Sequence, residues 1–276
     1  VIDSAKAIAM GAATGRDPWE FASTGTRPDK TLPVATVLTL AASGSETSNS
    51  CVLTNEETQE KRGITSETNR PVISFLDPEN TFTVSKFQTG CGIVDIMMHT
   101  LERYLTPEGG ESDLTDRIAE GLLIATRDAG RRAIANPRDY EARATLMWAG
   151  SVSHNDYTGC GRKRLFPVHK LEHELSAFRD EIAHGAGLSV LFPAWAEHEM
   201  QYDYPRFAQL ANRVLGVEMD FAHPERTARE GIRKLGIKPE NYEKLAANTV
   251  RTVNGPVKSY SPLDEKAIIE IYHLAE

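Results

Sequence analysis

The stretch FPVHKLEHELSAFRDEIAHG sets three imidazoles, His169, His173 and His184, among the carboxylates Glu172, Glu174, Asp180 and Glu181. His169 and His173 stand at i and i+4, the spacing that stacks two side chains on one helical face. Read literally, HKLEH matches the H-x-x-E-H pattern, in which two helical histidines hold zinc and the glutamate serves as base. The same letters suit a metal-dependent dehydrogenase or an ordinary helix with exposed histidines. Upstream, GIVDIMMHTLERYLT carries a second i, i+4 pair, Asp95 and His99, on an otherwise apolar helix. Alone, that pair reads either as a core histidine bonded to its carboxylate or as two ligands of one ion. Asp95, His99, His169 and His184 together offer three imidazoles and one carboxylate, a donor set that suits zinc or iron and leaves positions open for a substrate oxygen. His173 is then a further ligand, a group behind the ligands, or a proton carrier. His154, in SHNDYTGCGR, either lines the same cavity or serves as a cap or surface residue. His198, His223 and His273 sit among charged residues and read as solvated.

Positioning these groups requires a change of architecture along the chain. From residue 33 to 83, LPVATVLTL, SCVLT and PVISFLD are β-branched or apolar runs separated by polar turns, the pattern of short strands in an α/β segment. AASGSET, between the first two, is a loop whose bare amides could approach an anion. After DPENTFTVS the segments 86–105, 112–135, 138–153, 168–177, 184–198, 204–214, 224–235, 239–250 and 262–275 mostly carry apolar residues at helical period. Prolines mark stops at Thr106-Pro107, Asn136-Pro137 and Tyr204-Pro205. The expected division is an α/β part over 1–83 and an all-helical metal-binding part over 84–276. VIDSAKAIAMGAA has no initial methionine and enters a helix at once, with Ile2, Ala5, Ile8 and Ala9 at helical spacing, so the chain reads as beginning within a domain. The charge-rich runs EETQEKR and DAGRRAIANPRDYEAR read as solvated faces with helical ion pairs.

With 276 residues, 40% of them hydrophobic, the chain can bury a sizeable core. A formal net charge of -8 disfavours nucleic acid or an anionic membrane as partner and leaves a small molecule as the default. Cys51, Cys91 and Cys160 are odd in number and widely spaced, which argues against a disulfide framework or thiolate site and fits a reducing cytoplasm. No apolar run approaches the length of a bilayer span, and no export signal is visible.

Taken in order, these motifs resemble the iron-containing, group III alcohol dehydrogenase family, especially its butanol-dehydrogenase-like branch. VIDSAKAIA is similar to the continuation of that family's GGGSxxD(S/T)AKAIA motif, and TLAASGSETSNS to its phosphate and nicotinamide loop. GIVDIMMHTLERYLT resembles its D-x-x-x-H metal helix, and HKLEHELSA with HGAGL its paired histidine segments. The resemblance implies Fe2+ or Zn2+ held by Asp95, His99, His169 and His184, with His173 as an additional active-site histidine. It implies NAD(P)H held by Asp3, by Thr39, Leu40, Ser43 and Ser45 of the loop, and by Lys61. A dehydroquinate-synthase-like architecture, a homodimer and a small alcohol or aldehyde substrate follow from the same likeness. Three departures stand out: the family's GGGS segment would lie upstream of Val1, RKRLFPVH replaces a Gly-Asp-Trp-type approach to the third ligand, and FRDEIAH holds one residue more than the usual spacing. The expected activity is hydride transfer between the nicotinamide and the alcohol or aldehyde. The alternatives are a truncated metal-binding fragment without catalysis and an H-x-x-E-H zinc protease.

Overall fold

A computed structural model describes residues 1–110, 112–179, 182–233 and 255–274. The helix expected over 239–250, and Asp180 and Glu181 within the FRDEIAH spacing, lie outside the described residues. Contacts divide the chain into two compact units, Val1–Ile96 with Ala125–Tyr157, and Met97–Ile124 with Thr158–Glu276. The division passes through two long helices, so the first unit carries helical segments beyond the 1–83 span as well as the strands.

In the first unit α1 spans Ile2–Thr14 and stops at Gly15, whose φ of 71° lets its N–H return to the Gly11 carbonyl at 2.8 Å. α2, Pro18–Thr24, escaped the sequence reading although its signals were present: Asp17 accepts from the Trp19 N–H, Pro18 opens the helix and left-handed Gly25 closes it. Met10, Phe21, Ala22 and Ile64 form a buried cluster, with Trp19 and Leu53 packed against it. The face of α1 is rotated from the one expected. Lys6, Ala7, Ala9 and Met10 are buried while Ile8 is 72% exposed. Met10 fills the cluster, and Lys6 donates to the Ser48 and Ser50 carbonyls at 2.9 and 2.8 Å, contacts that periodicity does not register.

Two small sheets follow. β1, Ala35–Val37, pairs in parallel with β4, Ile73–Phe75, in the register Thr36 to Ser74. β2, Ser50–Asn55, pairs antiparallel with β3, Glu60–Thr65. EETQEKR is therefore the turn and second strand of a hairpin and not a helical face. The Asn55 side chain accepts from the N–H groups of Glu57 and Thr58 at 3.0 and 3.1 Å, a local bond that competes with helix formation. Solvated ion pairing does describe Arg132 and Asp139 at 2.9 Å, but Arg143 in the same charge-rich run is buried and donates to Thr89 at 2.9 Å.

Among the described residues the further α-helices are α3 (Lys86–Tyr104), α4 (Asp113–Ala135), α5 (Tyr140–His154), α6 (Pro167–Phe178), α7 (His184–Glu199), α8 (Tyr204–Arg213), α9 (Pro224–Arg233) and α10 (Glu265–Leu274). In the second unit α7 is buried along most of its length, with Trp195 against Phe192 and Phe207, each with ring centroids 6.0 Å away. A buried polar knot lies nearby in the chain's own order of helices: the Arg206 guanidinium stacks 3.7 Å over Tyr104 and grips Asp116, which Arg162 also contacts.

Candidate metal centre and cofactor loop

α3 carries Asp95, His99 and Glu102 at i, i+4 and i+7, all buried, so one helical stripe presents a carboxylate, an imidazole and a second carboxylate. α6 begins at Phe166, whose φ of 51° and following Pro167 turn the chain sharply into the helix. His169 then lies within the first turn, and His173 one turn later. α7 opens on His184 itself.

These elements bring the imidazoles together. The ring of His169 lies 4.6 Å from that of His99 and 5.4 Å from that of His184, and His173 lies 5.6 Å from His184 and 6.4 Å from His169. Asp95, His99 and His169 each offer a ligand atom, all within 4.8 Å of one another, and so do Glu172, His173 and His184. The phenyl ring of Phe166 packs 5.1 Å from His169 and 5.9 Å from His99, with Arg103 4.9 Å over its face. Phe166, part of the RKRLFPVH departure, thus walls the histidine cluster.

Two glutamates complete the arrangement. Glu102 takes the His169 Nδ1–H and Glu172 takes the His184 Nδ1–H. With the proton on Nδ1, the Nε2 lone pair of each ring is the one that can bind an ion. The donor set therefore fits a divalent transition metal. Glu102 was missed in the sequence, where its only mark is its i+3 position after His99. Under the H-x-x-E-H alternative Glu172 is a protease base, a role its bond to His184 does not suit.

The segment matched to a cofactor loop belongs to the first unit. Thr39, Leu40 and Ser43 are exposed, and Ser45 donates its hydroxyl to Asp3. Asp3 also accepts the Val52 N–H at 2.8 Å, so it ties the start of α1 to both β2 and the loop. Gly44, at φ 67°, has its would-be Cβ 2.4 Å from the Gly150 carbonyl oxygen, and a Cβ on Gly92 would meet the Ala41 oxygen at 2.1 Å. The loop is thus seated directly on the backbones of α3 and α5. His154 sits beside it, its Cβ 3.0 Å from where a Gly44 Cβ would stand. Lys61 lies on β3 opposite Thr54. Nearby, burial drives the Lys6 ammonium down to about 8, and it also pushes the Glu46 carboxyl above its ordinary range.

Their charged sequence neighbours predict that His198 and His223 are both solvated. His223 is exposed, but His198 is not: its side chain is 10% exposed, with Nδ1 2.9 Å from Glu199 and Nε2 3.6 Å from Glu270. The side chain of His273 lies outside the described residues.

Comparison with known proteins shows the family to which the chain belongs. The model of the C-terminal part of the Fe-containing alcohol dehydrogenase family matches residues 89–275, and that of iron-containing alcohol dehydrogenase matches residues 1–78. The chain belongs to the iron-containing alcohol dehydrogenase family. It is 37% identical to NADH-dependent butanol dehydrogenase A of Clostridium acetobutylicum, over 98% of this chain and 73% of that protein. It is 33% identical to the NADPH-dependent aldehyde reductase YqhD of Escherichia coli, over 79% of this chain and 56% of the relative. The crystal structure of NADH-dependent butanol dehydrogenase A from Thermotoga maritima superposes with a TM-score of 0.89 at 33% identity, covering 100% of this chain and 74% of that one.

Proposed function

We propose that this chain performs hydride transfer between NAD(P)H and a small aldehyde, or the reverse with the alcohol, with Asp95, His99, His169 and His184 as ligands of Fe2+ or Zn2+. The carrying observation is that ligand atoms of buried Asp95, His99 and His169 fall within 4.8 Å of one another, with the His184 ring next to that of His169. When bound, the ion supplies Lewis acidity at the substrate oxygen and the nicotinamide supplies or accepts the hydride. The chain's own residues do the rest. Phe166 excludes water from one side of His99 and His169, and Thr39, Leu40, Ser43, Ser45 and Lys61 hold the nucleotide, with Asp3 fixing the loop through Ser45. His173, half-buried beside His184, carries a proton on an imidazole nitrogen between the substrate oxygen and solvent.

This reading divides the chain into the remainder of a dinucleotide-binding domain over 1–83 and a metal-binding catalytic domain over 84–276, in a dehydroquinate-synthase-like architecture. It places the protein in the cytoplasm as a homodimer acting on a small molecule. The net charge of -8 supports the absence of a nucleic-acid partner, and no helix among the described residues is long and apolar enough to cross a membrane.

Elemental analysis of purified variants tests the site. Asp95→Ala and His169→Ala are expected to lose stoichiometric iron or zinc and aldehyde-dependent oxidation of NADH or NADPH, whereas exposed His223→Ala retains both. Full metal occupancy in His169→Ala would remove the assignment.

A further inference from the structure

We infer that Glu102 and Glu172 are positioning residues that set the tautomer and aim of His169 and His184, and that Gly187 supplies the room the second of them needs. The inference rests on the ligand assignment proposed above. A neutral imidazole offers one lone pair, and the hydrogen bond made by its other nitrogen decides which one. Glu102 and Glu172 are 1% and 0% exposed, places where a carboxylate is sustained only by donors.

Glu102 divides its two oxygens between backbone and ring. Oε1 accepts the N–H of Val168 at 2.6 Å and that of His169 at 3.4 Å, two of the donors that the first turn of α6 leaves without helical partners. Oε2 takes the Nδ1–H of His169. A single side chain on α3 therefore sets both the start of α6 and the rotation of the imidazole that α6 carries. Glu172, three residues after His169, reaches instead to His184 at the first position of α7. Gly187 is one turn further along α7. A Cβ there would lie 2.9 Å from Glu172 Cγ and 3.1 Å from Oε1, so any side chain at 187 displaces the carboxylate from His184. Glu172, His173 and His184 also have ligand atoms within 4.8 Å, which makes Glu172 a rival candidate for a ligand. Its Oε2 is committed to the His184 Nδ1–H, which favours the supporting role for that oxygen, and Glu172→Gln distinguishes this from a ligand role through Oε1.

The test uses metal-free, 15N-histidine-labelled full chain, at a pH where the rings are neutral. Long-range 1H–15N spectra should show His169 and His184 as Nδ1–H tautomers. Glu172→Leu and Gly187→Ala should take His184 out of that tautomer and leave His169 unchanged. Zn2+ affinity, measured by competition with a chromophoric chelator, should fall about tenfold to a hundredfold in both variants. Glu172→Gln, which keeps an acceptor oxygen, should recover most of the loss. An Nε2–H tautomer at His184 in the native chain overturns the proposal, as does native zinc affinity in both Glu172→Leu and Gly187→Ala. Abolition of zinc binding by Glu172→Gln overturns it in favour of a ligand role. Native zinc affinity in both His169→Ala and His184→Ala overturns the ligand assignment and the proposal with it, whatever the tautomers.

Discussion

His198 lies in the last turn of α7 with Nδ1 2.9 Å from Glu199, whose fully buried carboxylate also receives the Ser261 hydroxyl at 2.7 Å and the Ser261 N–H at 3.0 Å. The bond to Glu199 raises the His198 pKa against the opposing effect of burial. Burial pushes Glu199 up, but the bonds from His198, Ser259 and Ser261 outweigh it and leave the carboxyl below its ordinary value. A histidine raised on folding contributes stability that is fully present below its unfolded value, about 6.5, and is lost as pH rises through the folded one. A carboxyl lowered on folding contributes above its unfolded value, about 4.3, and loses that contribution as pH falls through the folded one. The pair is therefore strongest between those limits. Thermal melts should show His198→Gln losing most against the native chain in that window, with the deficit narrowing toward alkaline pH; a pH-independent deficit would contradict the coupling. The sequence concealed the burial of His198 even with Glu199 beside it, because Glu270, 3.6 Å from Nε2, is distant in the chain. The candidate site residues were legible for the opposite reason: Asp95 with His99, and His169 with His173, are pairs whose geometry a single helix enforces. Glu102 has its partners on another helix, and nothing in LERY announces them.

At the scale of elements, the helices beyond residue 83 were readable wherever one face is apolar. α3 through α9 begin and end close to the expected positions. β3 was not readable because its apolar content is Ile64 alone among charged and polar neighbours, and its place is set by pairing with β2. The loop from Ala41 to Ser45 was recognisable as a loop, but its seating was not, since that depends on Gly92 and Gly150 lying under it. Gly92→Ala puts a methyl group against a backbone oxygen with no flexible end to yield. It should lower stability by about 1–3 kcal/mol, read by chemical denaturation, and weaken NADH or NADPH binding more than Zn2+ binding. Equal weakening of both ligands would show that the strain spreads beyond the loop.

For the molecule as a whole, 276 residues produce two compact units, and the sheet content among the described residues is two separate two-stranded pairs. Parallel strands ordinarily occur with both faces covered, and an isolated pair is marginal in water. β1 and β4 do not meet that condition: Val37, Ile73 and Phe75 are exposed, as is Val72 beside them. In this 276-residue span such a strip can accept a further strand through backbone bonds and apolar contact, whether that strand belongs to the same protein or to another molecule. Light scattering of the chain should therefore rise with concentration and with warming well below the melting temperature. Val72→Lys with Phe75→Lys should suppress that rise while leaving zinc affinity unchanged; persistence of the scattering would place the adhesive surface elsewhere. In handling terms, the storage life of this 276-residue span on its own is governed by a few exposed residues of sheet and not by the depth of its helical core.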